Sequence, residues 1–189
     1  CAYLGIPVQM FESRIFDIVD HIAGDYPCYM CARMRRGALY SKAQDLGCNK
    51  LALGHHFDDI IETTLLNLFY AGSFKTMRPK LKSQNFENME LIRPMCYVQE
   101  ADIIRFASFN GISAMNCGCV VAAKKTSSKR REMKELIREL KKTNKEVDSA
   151  IFNAAKNVNM DSILGWQKDG KGYSFLDFYE GKTEKGKQV

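Results

Sequence analysis

Two imidazoles and three carboxylates fall within eight residues of this chain: His55, His56, Asp58, Asp59 and Glu62. Imidazole holds or moves a proton near neutral pH, and a carboxylate serves as base or cation ligand. They follow the apolar run Leu51-Ala52-Leu53, which stops at Gly54. A buried parallel strand that delivers reactive side chains at its carboxyl end reads this way. Asp58 has a plainer role open to it: an aspartate before a helical pattern accepts a bond from a free N–H and suits the positive helix end.

A second chemistry comes from cysteine. Cys28-Tyr29-Met30-Cys31 is a Cys-x-x-Cys pair at the start of a helical pattern, and Cys117-Gly118-Cys119 is a second pair. Two separated pairs offer soft ligands suited to zinc or an iron–sulfur cluster, and a helix amino end favours thiolate charge. A redox dithiol is the other reading of such a pair. Cys1, Cys48 and Cys96 lie in apolar settings and are expected as buried small hydrophobes. Arg35 and Arg36 lie in the next turn beyond Cys31. They read either as a solvated face or as guanidinium groups that hold phosphate.

The elements that must position these groups follow from hydrophobic spacing. Residues 6–12 read as a strand, 14–23 as a helix, and 29–46 as a second helix ending at Gly47. The strand at 51–53 leads into a helix over 58–70 that ends at Gly72. Residues 72–82 read as a basic loop, 89–94 as a short strand closed by proline, and 98–109 as an amphipathic helix with Ile103, Ile104 and Phe106 inward. Residues 112–115 read as one more strand. Strands alternating with helices predict an α/β fold, a parallel sheet with helices on both faces. The expected division is an α/β core over 1–126, a charged helical extension over 127–160, and an irregular tail over 161–189.

Composition bounds the partners. The 189 residues carry a net charge of +6, which leans towards an anionic partner. Seven cysteines, an odd number, point to reduced thiols or metal ligands and a cytoplasmic setting. No apolar run is long enough for a membrane span. Two basic stretches stand out: Lys75, Arg78, Lys80 and Lys82, and further on Lys129 and Arg130 at the start of the charged helix. They read as phosphate clamps on either side of a splayed base, against the alternative of a solvated surface.

The run from Cys28 to Tyr40, with Leu53-Gly54-His55-His56-Phe57-Asp58-Asp59-Ile60-Ile61-Glu62-Thr63, resembles the central motifs of the tRNA 2-thiocytidine synthetase family. Leu66 to Leu81 and Ile92-Arg93-Pro94-Met95 match the same pattern in order, so the resemblance covers residues 1–140. It implies a PP-loop, adenine-nucleotide α-hydrolase-like fold. It also implies an enzyme that adenylates a tRNA base with ATP and Mg²⁺ and exchanges the activated oxygen for sulfur. The implied cofactor is a 4Fe–4S cluster on three cysteines: Cys28, Cys31 and Cys119, with Cys117 as competitor. Asp59, Asp58 and Arg35 would be catalytic. Gly54, His55, His56 and Arg36 would meet the nucleotide. The partners implied are tRNA, a sulfur donor (a cysteine desulfurase or sulfide) and a second copy as a homodimer.

Two departures accompany the resemblance. The family's Ser-Gly-Gly-x-Asp-Ser pyrophosphate loop is not among these residues and is expected before Cys1, on a first strand the chain lacks. Were both cysteines of Cys117-Gly118-Cys119 to bind, no iron would stay open for sulfur. Alternatives are a tRNA-lysidine-synthetase-like ligase and a metal-stabilised RNA-binding fragment without catalysis.

Overall fold

The computed structural model describes residues 1–15, 18, 27–113 and 129–179, with backbone alone for 27–29. Their regular elements, in chain order, are α1 (Pro27–Asp45), β1 (Lys50–Ala52), α2 (Phe57–Ala71), β2 (Lys80–Lys82), β3 (Glu90–Ile92) and α3 (Glu100–Phe109). After these come α4 (Lys129–Thr143), α5 (Val147–Ala154), the hairpin strands β4 (Gly165–Lys168) and β5 (Lys171–Ser174), and α6 (Leu176–Tyr179).

β3 lies at the centre of a three-stranded sheet, parallel to β1 and antiparallel to β2. The sheet is therefore mixed, and the basic loop ends in a strand where continuous loop was expected. The register sets Leu51, Leu91 and Leu81 side by side across the three strands. Side chains alternate along a strand, so this row faces one side and packs with Met89, Phe86 and Tyr40 of α1. Tyr40 stacks on Phe86 at 4.9 Å. Burying Leu91 in full contributes about 1.5–3 kcal/mol. The strand positions between carry Lys50, Ala52, Lys80 and Lys82, all exposed, with Lys80 paired to Glu90 at 3.3 Å. That face therefore mixes charged Lys50, Lys80, Lys82 and Glu90 with Ala52 and the half-buried Ile92.

The larger core lies among helices. Phe57, Ile60, Ile61 and Leu65 of α2 bury against Met133 and Ile137 of α4, Phe152 of α5, and Cys96. The spacing of i, i+3, i+4 and i+8 on α2, and of i and i+4 on α4, is that of one helix face. α2 ends at Gly72, whose φ of 55° is left-handed and whose N–H reaches Asn67.

Several expectations from the sequence are corrected here. Residues 6–12 pair with no strand and are exposed, because an apolar run becomes a strand only where a neighbour satisfies its backbone. Residues 112 and 113 carry no strand, and 114–115 lie outside the described residues. α3 buries none of its residues: Ile104 is 58% and Phe106 65% exposed. Cys1 and Cys48 are exposed and Cys96 alone of the three is buried. The stretch expected to be irregular beyond 161 forms the β4–β5 hairpin, closed by Asp169 and Gly170 at φ 52° and 78°. Two consecutive positive φ values make the primed turn that an Asp-Gly pair favours between strands.

Ile61 is 1% exposed. Ile61→Ala is expected to lower unfolding stability by about 2–5 kcal/mol. Ile104→Ala should change it by about 0.5 kcal/mol or less. Denaturant titration followed by circular dichroism checks both.

Candidate active site at the carboxyl end of the parallel strands

β1 and β3 run parallel, and the chain leaves both at the same sheet edge. The Leu53 N–H still donates to the Ile92 carbonyl at 3.0 Å. Directly beyond lie Gly54 and His55 on one side and Arg93 on the other. Ligands of open α/β sheets bind in this crevice outside the carboxyl ends of the strands. A Cβ on Gly54 would lie 3.6 Å from the methyl of Met95, which is ordinary contact.

Arg93 is buried, and one of its terminal nitrogens donates to the Arg78 carbonyl. Its Nε, like Nδ1 of His55, is buried without a hydrogen-bond partner. Native proteins rarely leave buried polar atoms so. Burial lowers the pKa of His55, and the cations of Arg93, Arg130 and Arg36 add to the effect while Asp59 opposes it. His55 therefore keeps a neutral imidazole at neutral pH, one nitrogen donating and the other accepting. Arg36 also lowers the pKa of Arg93, again behind burial. Of the two arginines singled out on α1, both exposed, Arg36 is the one whose charge acts on His55 and Arg93.

The two aspartates open α2, but neither is its N-cap, which is His56. Asp58 turns outward and accepts the Glu100 backbone N–H at 2.7 Å, capping α3 instead of its own helix. Asp59 accepts the His56 backbone N–H at 3.0 Å, the return arm of a capping box. Its other oxygen meets Arg130 at 3.0 Å. Nε2 of His56 lies 3.4 Å from Asp59 and Nδ1 lies 3.6 Å from Asp58. Arg130 also reaches Glu62 at 2.8 Å and the Thr63 hydroxyl at 3.2 Å.

A shallow cleft of about 250 Å³ opens here between His56, Asp59, Glu62, Arg130 and Lys134. Lys134 pairs with Glu100 across it. Sequence reading singled out neither Arg93 nor Lys134 as functional. Arg93 was legible as a cation directly after a strand; Lys134 was one charge among many on α4.

The remaining candidates lie around this centre. The Thr64 hydroxyl bonds the Thr76 hydroxyl at 2.9 Å, and the Asn67 amide donates to the Lys75 carbonyl at 3.1 Å, so α2 holds the basic loop through one side chain and one backbone carbonyl. Lys75, Arg78, Lys80 and Lys82 are exposed. Lys129 pairs with Glu132 at 3.2 Å and lies over the Tyr70 ring. Arg130, the other cation expected on RNA, bridges the carboxylates of Asp59 and Glu62 and is 40% exposed. Cys31 is half-buried in the first turns of α1. For Cys28 only the backbone is described, and Cys117 and Cys119 lie outside the described residues. Among the described residues no group of three or more ligating side chains converges on a metal position.

Fold and site define a class. The PP-loop domain family matches residues 23–116, about half of the chain. The sequence is similar to tRNA-cytidine(32) 2-sulfurtransferases. It is 41% identical to that of Pelobacter propionicus over 169 residues, covering 88% of this chain and 62% of the relative. It is 47% identical to that of Geobacter sulfurreducens over 141 residues, covering 75% and 54%. The chain thus spans between half and two thirds of the length of these relatives. Among solved structures, the U34-tRNA thiolase NcsA from Methanococcus maripaludis, with its 4Fe–4S cluster, matches at a TM-score of 0.58 and 21% identity. That match covers 88% of this chain and 51% of the thiolase, and it supports the fold.

Burial raises the pKa of Glu62, and Arg130 is the main influence holding it down. A carboxyl that ionises at higher pH when folded binds more protons folded than unfolded. Stability therefore falls as pH rises from the ordinary glutamate range through the raised value. Arg130→Met is expected to move the Glu62 titration further up and steepen that fall. Carboxyl-detected NMR titration and melting curves across pH check both.

Proposed function

We propose that the chain is part of an ATP-dependent tRNA 2-thiolase acting on a cytidine. The observation that carries the reading is the placement of His55 and Arg93, each with a buried nitrogen lacking a hydrogen-bond partner, just past the carboxyl ends of β1 and β3. Arg36 is on the helix that bears the Cys28–Cys31 pair, and five residues past Cys31 is about 7.5 Å along the axis. The relatives' names supply the substrate class.

The unpaired Nε of Arg93 and Nδ1 of His55 fit an anionic ligand such as the phosphates of ATP, carried with Mg²⁺. Arg93 and Arg36 would stabilise charge that develops on the departing phosphate. Neutral His55 would donate a hydrogen bond without adding a further positive charge. Asp59 or Asp58 would assist activation of the base, while Gly54 lets the backbone approach the nucleotide. Arg35 stays a candidate phosphate contact at the cleft margin. The soft donors Cys28 and Cys31 fit two cluster ligands, with Cys119 or Cys117 as the third. The 4Fe–4S cluster would supply the sulfur that replaces the pyrimidine oxygen. Lys75, Arg78, Lys80, Lys82 and Lys129 would contact tRNA phosphates, and Arg130 would position Asp59. A cysteine desulfurase or sulfide would be the donor, the setting cytoplasmic and the assembly a homodimer.

One observation favours a second reading, RNA binding without catalysis. Both oxygens of Asp59 are already engaged, by the His56 N–H and by Arg130.

The test is thiolation of tRNA with ATP, Mg²⁺ and sulfide by the chain with the family's pyrophosphate loop supplied ahead of Cys1, after anaerobic reconstitution, read by nucleoside mass spectrometry. Asp59→Asn keeps an acceptor for the His56 N–H and is expected to cut the rate about 10²-fold or more. Unchanged activity with a lower melting temperature would return Asp59 to a purely structural role. In the same preparations Cys31→Ser should lose bound iron, whereas Cys48→Ser, altering an exposed cysteine, should keep it. Equal iron in both would remove the cluster from the proposal.

A further inference from the structure

The β4–β5 hairpin plays no part in the site described so far, yet its two faces differ sharply. Its register pairs Trp166 with Tyr173, Gln167 with Gly172 and Lys168 with Lys171. Alternation therefore places Trp166, Tyr173, Lys168 and Lys171 on one face, and Gln167 and Gly172 on the other. The rings of Trp166 and Tyr173 stack at 5.4 Å and 13°, and Phe178 stacks on Trp166 at 5.1 Å and 26°. This prestacked row ends at Phe178, which is 57% exposed.

Two lysines directly opposite on an antiparallel pair repel, and such a pair is destabilising by itself. Asp177 is otherwise engaged, accepting the Ser174 N–H at 2.8 Å. Beside the hairpin runs a groove of about 680 Å³ whose other wall is the loop after α2, with Phe74 and Lys75. Phe74 is 46% exposed. Lys75 is the charged residue on the groove's lining, and no carboxylate lines it among the described residues. Lys75 also begins the basic loop that carries Arg78 and Lys80.

We propose that this aromatic and lysine face is a stacking platform for a single-stranded segment of RNA. The inference rests on the reading that RNA is the substrate, and adds a contact surface outside the thiolation centre. Proteins that hold single strands without reading sequence combine aromatic rings, on which bases stack, with cations that track the backbone. Three rings already stacked give a base a preordered surface. A phosphate bound between Lys168 and Lys171 would relieve the repulsion between them.

Trp166 is the single tryptophan among the 189 residues, so its emission reports on this face alone. Titration of the full chain with a short unstructured oligocytidylate is expected to quench that emission saturably. The double variant Lys168→Gln/Lys171→Gln should weaken binding several-fold and lower the salt slope by roughly 0.7 for each phosphate no longer neutralised. An unchanged emission maximum in the free variant would show the hairpin intact. Labelled tRNA followed by anisotropy runs in parallel. If tRNA binds while Trp166 emission and the variant's salt slope stay unchanged, the platform is overturned and the thiolase reading stands. If no RNA binds, both fall. Quenching by polyglutamate but not by oligocytidylate would overturn the platform in favour of an acidic protein partner.

Discussion

The guanidinium of Arg130 meets Asp59, Glu62 and Thr63 at once, and this contact fastens α4 across the first turns of α2. Arg130 itself is 40% exposed, so an ion pair of its kind contributes about 0–1 kcal/mol when solvated. Its weight comes from the other side. Glu62 is buried, and a carboxylate left there without its cation would be uncompensated. Arg130 therefore sets where the helical extension can dock, and the Phe57–Ile137–Phe152 core forms beneath that docking. Asp58 extends the arrangement by capping α3. The same acidic run thus anchors three helices and lines the cleft.

The parts of the fold that were legible in the sequence are those where a local pattern had one physical outcome. α2 is one: an apolar stripe opened by acidic residues and closed at Gly72. α4 is another, its few apolar positions fixing the buried face. What was not legible depended on neighbours. β2 is three residues with lysines at both ends, and only its pairing with β3 makes it a strand. Residues 6–12 have the better strand composition and pair with nothing. The hairpin differs from these, since Asp169-Gly170 between Lys168 and Lys171 is a turn signal readable without a structure.

For the site, the positions of the His-Asp cluster relative to β1 were readable, because a strand–glycine–helix junction points its residues to one end of the sheet. The partners of those residues were not. Whether Asp58 caps its own helix or another depends on where α3 lies, forty-two residues away in the chain. Arg130 looked like a solvent-facing cation on a charged helix, and Arg93 like the close of a strand. Both are turned inward by contacts that no local spacing encodes.

The leucine row across the sheet carries a consequence of its own. Leu51, Leu91 and Leu81 lock β1 and β3 in one alignment, and His55 and Arg93 ride on the ends of those two strands. A slip of one residue would shift one strand by about 3.3 Å and turn its lysines or glutamate into the apolar layer. The hydrophobic layer therefore works as a vernier for the polar groups at its end: the relative placement of His55 and Arg93 along the sheet edge is set several residues away, by the leucine row.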